Sequence, residues 1–180
     1  MASRFPRLFA PGRIGGRAIR NRIIMAPMEK NLATVEGAVT QRYIEYCEHR
    51  AAGGAGLILL ESMYVDPAGK NHHLQLGIHD DGLIPGYRRL IETCHRAGVL
   101  VGAELNFGGR QTSSAVTGRQ PVAPSPVPCA VLTAGDTPRE LTVEEIRSAT
   151  AASSRSTSRS APVVSPASAP ARSTASSSRR

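Results

Sequence analysis

The residues of this 180-residue sequence that could do chemistry stand behind three short apolar runs. The first run, Arg22-Ile-Ile-Met-Ala-Pro-Met28, leads into Glu29 and Lys30. The second, Gly56-Leu-Ile-Leu-Leu-Glu61, is followed by Ser62. The third, Val99-Leu-Val-Gly-Ala-Glu-Leu105, carries Glu104 and runs on to Arg110. A carboxylate in such a place accepts hydrogen bonds from N–H groups. It is equally a structural strand-end group paired with an Arg, which is the plain reading of Glu61 and, without other information, of Glu104. Arg110 serves as well to anchor a loop as to touch a ligand. His72 and His73 lack the spacing of metal ligands and read as solvated loop residues. His49 and His95 read as helix-surface residues, and Met25 as core. Cys47, Cys94 and Cys129 are far apart and show no C-x-x-C spacing, so they give no zinc or iron–sulfur signature and imply a reducing compartment. Cys47 and Cys94 lie on apolar helix faces, where they read as core packing.

The elements that must position these residues alternate. The three apolar runs predict strands covered on both faces, as in parallel sheets. Thr40 can cap a helix that places Ile44, Cys47 and Ala51 on one face, ended by Gly53 and Gly54. Pro85 suits the first turn of a second helix, with Tyr87, Leu90, Ile91, Cys94 and Ala97 inward and Gly98 as its stop. Residues 29–39, 66–81 and 106–140 read as loops. Thr142 and Glu145 form a capping box at the start of a further helix, with Leu141 and Ile146 as its hydrophobic staple. Alternating strands and helices predict an α/β fold with a parallel sheet. No G-x-G-x-x-G follows the first strand, which speaks against a doubly wound dinucleotide fold. In a barrel the chemistry sits at the carboxyl ends of the strands, and here those ends are Ala26–Lys30, Glu61–Ser62 and Glu104–Arg110.

The net charge of +8 is uneven. Residues 151–180 hold five Arg and no acid, whereas residues 1–150 hold 17 basic and 14 acidic side chains. The body is only mildly basic, so nucleic-acid binding by the whole protein is not expected. The terminal 30 residues are almost wholly Ala, Ser, Arg, Pro and Thr, a composition that predicts disorder. The organisation expected is therefore residues 1–150 as the folded unit and 151–180 as a Ser/Ala/Arg-rich tail. The composition changes abruptly just after the capping box, as a shift of reading frame in GC-rich DNA would produce. No stretch approaches the ~18 apolar residues of a membrane span, and no secretory signal is recognisable. A cytoplasmic location is expected.

Several motifs occur together and in order: Leu8-Phe9-Ala-Pro11, Asn21-Arg22-Ile-Ile-Met-Ala-Pro-Met28, Ala55-Gly-Leu-Ile-Leu-Leu-Glu61 and Glu104-Leu-Asn-Phe-Gly-Gly-Arg110. Together they resemble the amino-terminal part of the old yellow enzyme family, the flavin mononucleotide (FMN)-dependent NADH:flavin oxidoreductases. The stretches from Gln111 to Ser125 and from Thr137 to Thr142 look most like the 2,4-dienoyl-CoA and 2-enoate reductase branch. The resemblance covers residues 5–150. It implies a partial (β/α)8 TIM barrel of about the first three β/α units, with FMN lying across the carboxyl ends of its strands. Ala26, Pro27, Met28 and Glu29 would run beside the flavin ring, Ser62 would sit close to it, and Glu104 would bond its pyrimidine edge. NAD(P)H would be the reductant and an enone or enoyl compound the small-molecule substrate.

Two features depart from the family pattern. Most members carry Gln where this chain has Glu104. An ionised Glu104 accepts only, so it cannot donate to the flavin O2, although amine dehydrogenase relatives share a Glu there. Asn106-Phe107 replaces a pattern that often includes His. The family's H-x-x-[HN] motif, proton-donating Tyr, phosphate-binding loops and, in the larger reductases, an iron–sulfur cluster and FAD/NAD(P) domain are not recognisable in the sequence. The expectation is a fragment that is inactive alone. Two alternatives are a non-enzymatic interaction protein using the basic Ser/Arg tail, and one half of a split barrel completed by a second polypeptide.

Overall fold

The computed structural model describes residues 4–131 and 136–148; the tail from 151 onward lies outside the described residues. A short helix α1 (Pro6–Phe9) leads into a hairpin, β1 (Gly12–Ile14) and β2 (Arg17–Ile19), turned by Gly15 at φ +54°. Then follow β3 (Ile24–Met25), α2 (Gln41–Ala52), β4 (Leu57–Tyr64), α3 (Ile84–Arg96) and β5 (Leu100–Asn106). Strands β3, β4 and β5 form one parallel sheet in that order.

The two long helices form where the sequence predicts them and for the expected reasons. The Thr40 hydroxyl accepts the Tyr43 N–H at 3.2 Å and donates to the Leu32 carbonyl at 2.5 Å, so it both caps α2 and ties it to the preceding loop. Gly54 at φ +100° turns the chain away from α2. Pro85 opens α3, and Gly98 at φ +71° ends it. Tyr43, Ile44, Cys47 and Ala51 of α2 meet Leu90 and Cys94 of α3 over Ile58, Leu60 and Met63 of β4 and Val99 before β5. That layer is the core. Its two cysteines are packing residues: burial pushes the Cys47 thiol up to about 12 and the Cys94 thiol to about 11.

At the amino ends of the strands, Arg20 binds three backbone carbonyls. Its guanidinium reaches Ala51 (3.0 Å), Ala55 (3.1 Å) and Ala97 (2.7 Å). Ala51 and Ala97 lie at the carboxyl ends of α2 and α3, where a cation also opposes the helix dipoles. Asn21 adds a bond to the Gly54 carbonyl at 2.7 Å. Gly56 passes so close that a Cβ on it would meet Asn21 at 2.7 Å. The hairpin is thereby fastened across the foot of the sheet.

Two expectations need correction. The first strand is only two residues long, because β3 pairs with β4 at Ile24↔Leu57 and Met25↔Ile58 and then leaves the sheet. The segment 106–140 is not a plain loop: it holds α4 (Ser114–Thr117) and the parallel pair β6 (Val122–Ala123) and β7 (Arg139–Glu140). The β1–β2 hairpin has no counterpart among the elements the sequence predicts. The capping box forms as expected, with the Thr142 N–H on Glu145 at 2.8 Å and the Glu145 N–H on Thr142 at 3.2 Å. Ile146 of the expected staple is 40% exposed.

Among the described residues, no strand pairs with the free side of β3 or of β5. A seven-residue strand with an open edge recruits other strands. In solution the chain is expected to elute above its 19.1 kDa monomer mass, and a lysine at the exposed edge residue Ala103 (Ala103→Lys) should shift the elution toward monomer. A monomeric wild type would contradict this. The capping box makes a second prediction. The Arg139 guanidinium and the Thr142 N–H hold the Glu145 carboxyl at about 2, below the usual 4.5. A depressed folded-state value means that the stabilisation is complete above 4.5 and is lost as pH falls through about 2. Hydrogen-exchange protection factors around Glu145 should drop over that window.

Candidate functional site

The carboxyl end of the sheet is shaped by one irregularity in β4. Strands β4 and β5 pair residue for residue from Leu57↔Leu100 to Leu59↔Gly102, and the register then shifts so that Ser62 faces Glu104. One extra residue on β4 makes a bulge, which places two successive side chains on the same face. Leu60 and Glu61 both go to the buried side, at 2% and 0% exposure. Ser62 is thereby turned to the opposite face, beside Glu104.

Glu61 is held in place by backbone. Its Oε2 accepts the Lys30 N–H and its Oε1 the Leu76 N–H, both at 2.9 Å. These bonds fix the chain leaving β3 and the loop following β4. Burial raises the Glu61 carboxyl above the usual range, opposed by those two N–H groups and by the Lys30 ammonium. Burial likewise lowers Lys30, whose ammonium lies 5.7 and 5.1 Å from the ring centres of Tyr43 and Tyr46 and bonds the Met28 carbonyl. Glu61 is structural, as its strand-end position predicts.

On the open face, Ser62 donates to Glu29 at 2.6 Å, and the other Glu29 oxygen is ion-paired with His72. Gln75, 1% exposed, donates to the Ser62 carbonyl at 2.7 Å and accepts the Asn71 N–H at 2.7 Å. Glu29, Ser62 and Glu104 are thus brought together by the sheet, with Ala26, Pro27 and Met28 on the adjoining segment. Met28 is 68% exposed, and Ala26 and Glu104 are exposed. Glu104 has no hydrogen-bond or ion-pair partner among the described residues, so the Arg-paired reading does not hold. Met25 packs against the core, as expected. His73 is exposed, but His72 is engaged with Glu29 and is not merely solvated. Sequence reasoning missed Gln75 and the stack of His79 on Tyr64, at 4.8 Å between ring centres. Both lie in or face the loop after β4, where no spacing rule points to a partner.

The described residues hold no helix long and apolar enough to cross a membrane and no group of three or more potential metal ligands. A family model described as the NADH:flavin oxidoreductase / NADH oxidase family matches residues 7–162. An NADH oxidase of Thermoanaerobacter brockii is 51% identical over 144 residues, which are 79% of this chain and 22% of that protein. Among solved structures, the old yellow enzyme homologue of Zymomonas mobilis superposes with a TM-score of 0.76 at 31% identity, covering 86% of this chain and 46% of that one. Morphinone reductase in complex with tetrahydroNAD gives 0.75 at 27%, covering 86% and 47%. The neighbours are TIM barrels, and this chain has the fold of part of one. It spans about a fifth of the NADH oxidase's length and under half of each of these solved chains.

The open face fits one edge of a flavin. Glu104 offers an unoccupied acceptor for a ring N–H, and Asn106, two residues further along the same strand, carries a buried Nδ2 without an acceptor. The whole face hangs on Glu61. Glu61→Gln should cost about 1–3 kcal/mol, because an amide turns a donor toward one of two backbone donors. The measurement is the urea midpoint, and an unchanged midpoint would show that the two bonds are not needed.

Proposed function

We propose, because this chain belongs to the NADH:flavin oxidoreductase / NADH oxidase family, that the carboxyl ends of β3, β4 and β5 bind the ring system of FMN. FMN is the family's cofactor and NAD(P)H its reductant. When bound, FMN supplies hydride transfer between a nicotinamide and a small acceptor. The chain's own residues bind and orient. Ala26, Pro27, Met28 and Glu29 line one side of the ring, the small Ser62 lets it approach, and Glu104 accepts the pyrimidine N–H. The hydrogen bond from Ser62 and the contact with His72 fix the two oxygens of the Glu29 carboxylate. The acceptor is a small enone or enoyl compound. The protein partner is a polypeptide supplying further β/α units. The free state of Cys47, Cys94 and Cys129 supports a reducing, cytoplasmic setting.

The observation that carries this reading is the register pair Ser62↔Glu104 with Glu29 bonded to Ser62 at 2.6 Å. It supports the reading because the positions proposed to face the flavin stand side by side at the end of the sheet where TIM-barrel sites lie. The same class of site draws on all eight βα loops, and the chain supplies the first three. Binding without turnover is therefore expected of the 180-residue chain.

Titration of the chain into FMN should quench the flavin fluorescence, and Ser62→Leu should weaken binding at least tenfold by filling the space the ring occupies. NADH consumption should stay at background. Absence of quenching would overturn the reading, and NADH turnover by the chain alone would overturn its second half.

A further inference from the structure

Asn106 closes β5 two residues beyond Glu104, so the two side chains leave the strand on one face. Its main chain is in use, with its carbonyl accepting the Val65 N–H at 3.1 Å. Its side chain is not: Nδ2 is buried and has no acceptor. An unpaired buried amide N–H costs about 1–3 kcal/mol, so an acceptor brought to it is strongly favoured. The terminal amide torsion is broad and two-fold, and a half-turn carries the N–H to the side that the oxygen holds.

Three neighbouring donors are committed. Ser62 donates to Glu29 at 2.6 Å, Tyr64 donates to the Glu36 carbonyl at 2.8 Å, and Gln75 Nε2 donates to the Ser62 carbonyl at 2.7 Å. Glu104 when ionised has no donor at all. A planar ligand edge that presents an N–H beside a C=O needs an acceptor and a donor side by side. The face offers the acceptor at Glu104 and an unspent donor at Asn106.

We infer that Asn106 is the residue that hydrogen-bonds the ligand's carbonyl beside the N–H taken by Glu104, so that the pair recognises a cyclic imide edge. This rests on the flavin reading above, the pyrimidine ring of FMN being such an edge. It makes Asn106 a binding residue of this chain. It also explains how a carboxylate at position 104 is compatible with flavin binding: the donor function has moved two residues along the strand.

The test is FMN binding by the full chain, read as fluorescence quenching, together with thermal stability. Asn106→Leu is close in shape and removes the unpaired donor. It should leave the melting temperature unchanged or raise it, and weaken FMN binding about five- to tenfold, the loss of one hydrogen bond. Glu104→Gln brings its own donor. In that background Asn106→Leu should change FMN affinity less than about twofold, which a purely structural role would not produce. FMN methylated at N3 should bind Asn106→Leu and wild type with the same relative loss, because that change acts on Glu104. Equal FMN affinity in wild type and Asn106→Leu would overturn the inference, as would an undiminished loss in the Glu104→Gln background. If Asn106→Leu does not fold, Asn106→Ala is read by the same criteria. Failure of the wild type to quench FMN at all would instead remove the flavin reading, and this inference with it.

Discussion

Two backbone N–H groups, those of Lys30 and Leu76, end inside the protein on the carboxylate of Glu61. Neither group belongs to a strand or helix, and neither would have a partner there without it. Burying a carboxylate is costly unless hydrogen bonds and charge compensate. Here both oxygens are used, and the Lys30 ammonium adds a favourable charge from the edge of the core. The result is a rigid connection between two segments that the sheet does not pair. The chain leaving β3 is held against β4 after its pairing has stopped at Met25, so Ala26 to Glu29 keep a defined course across the end of the sheet.

The bulge in β4 makes this possible. A regular strand would send Glu61 to the face that carries Leu57 and Leu59, and Ser62 into the helix layer. One inserted residue exchanges them. The carboxylate goes to the dry side, where it binds backbone, and the hydroxyl goes to the open side, where it meets Glu29 and Glu104. The strand therefore has two phases. Below the shift it serves packing, with Ile58 and Leu60 in the core. Above the shift Met63 still packs in the core, while Ser62 serves the face.

How far this was legible in the sequence follows from the range of the interactions. Thr40, Pro85 and Gly98 act on their own helices within four residues, and the helices form where those residues place them. The apolar runs of β4 and β5 announce buried strands without reference to partners. The site was legible only in part. Its positions could be named from strand ends and from motif resemblance, but the bonds among them could not. The pair His72–Glu29 joins residues in different loops, and no spacing rule connects them. The bulge leaves no mark either, since Leu59, Leu60 and Glu61 are compatible with unbroken alternation or with its interruption. The hairpin was invisible because strands of three residues, rich in Arg and Gly, show no apolar period. The pair β6–β7 joins strands 17 residues apart, and parallel pairing over such a distance is decided by contacts elsewhere.

Arg20 adds a matter of timing. Its three carbonyl partners lie 31, 35 and 77 residues further along the chain. During synthesis at about 5–20 residues per second, the last of them appears roughly 4–15 s after Arg20 itself. From the arrival of Ala51 to that of Ala97 the guanidinium can hold the end of α2 but not that of α3. The foot of the sheet thus cannot close fully before the Ala97 carbonyl has been made. A free chain ending between Ala55 and Ala97 would keep the hairpin fastened to one helix only.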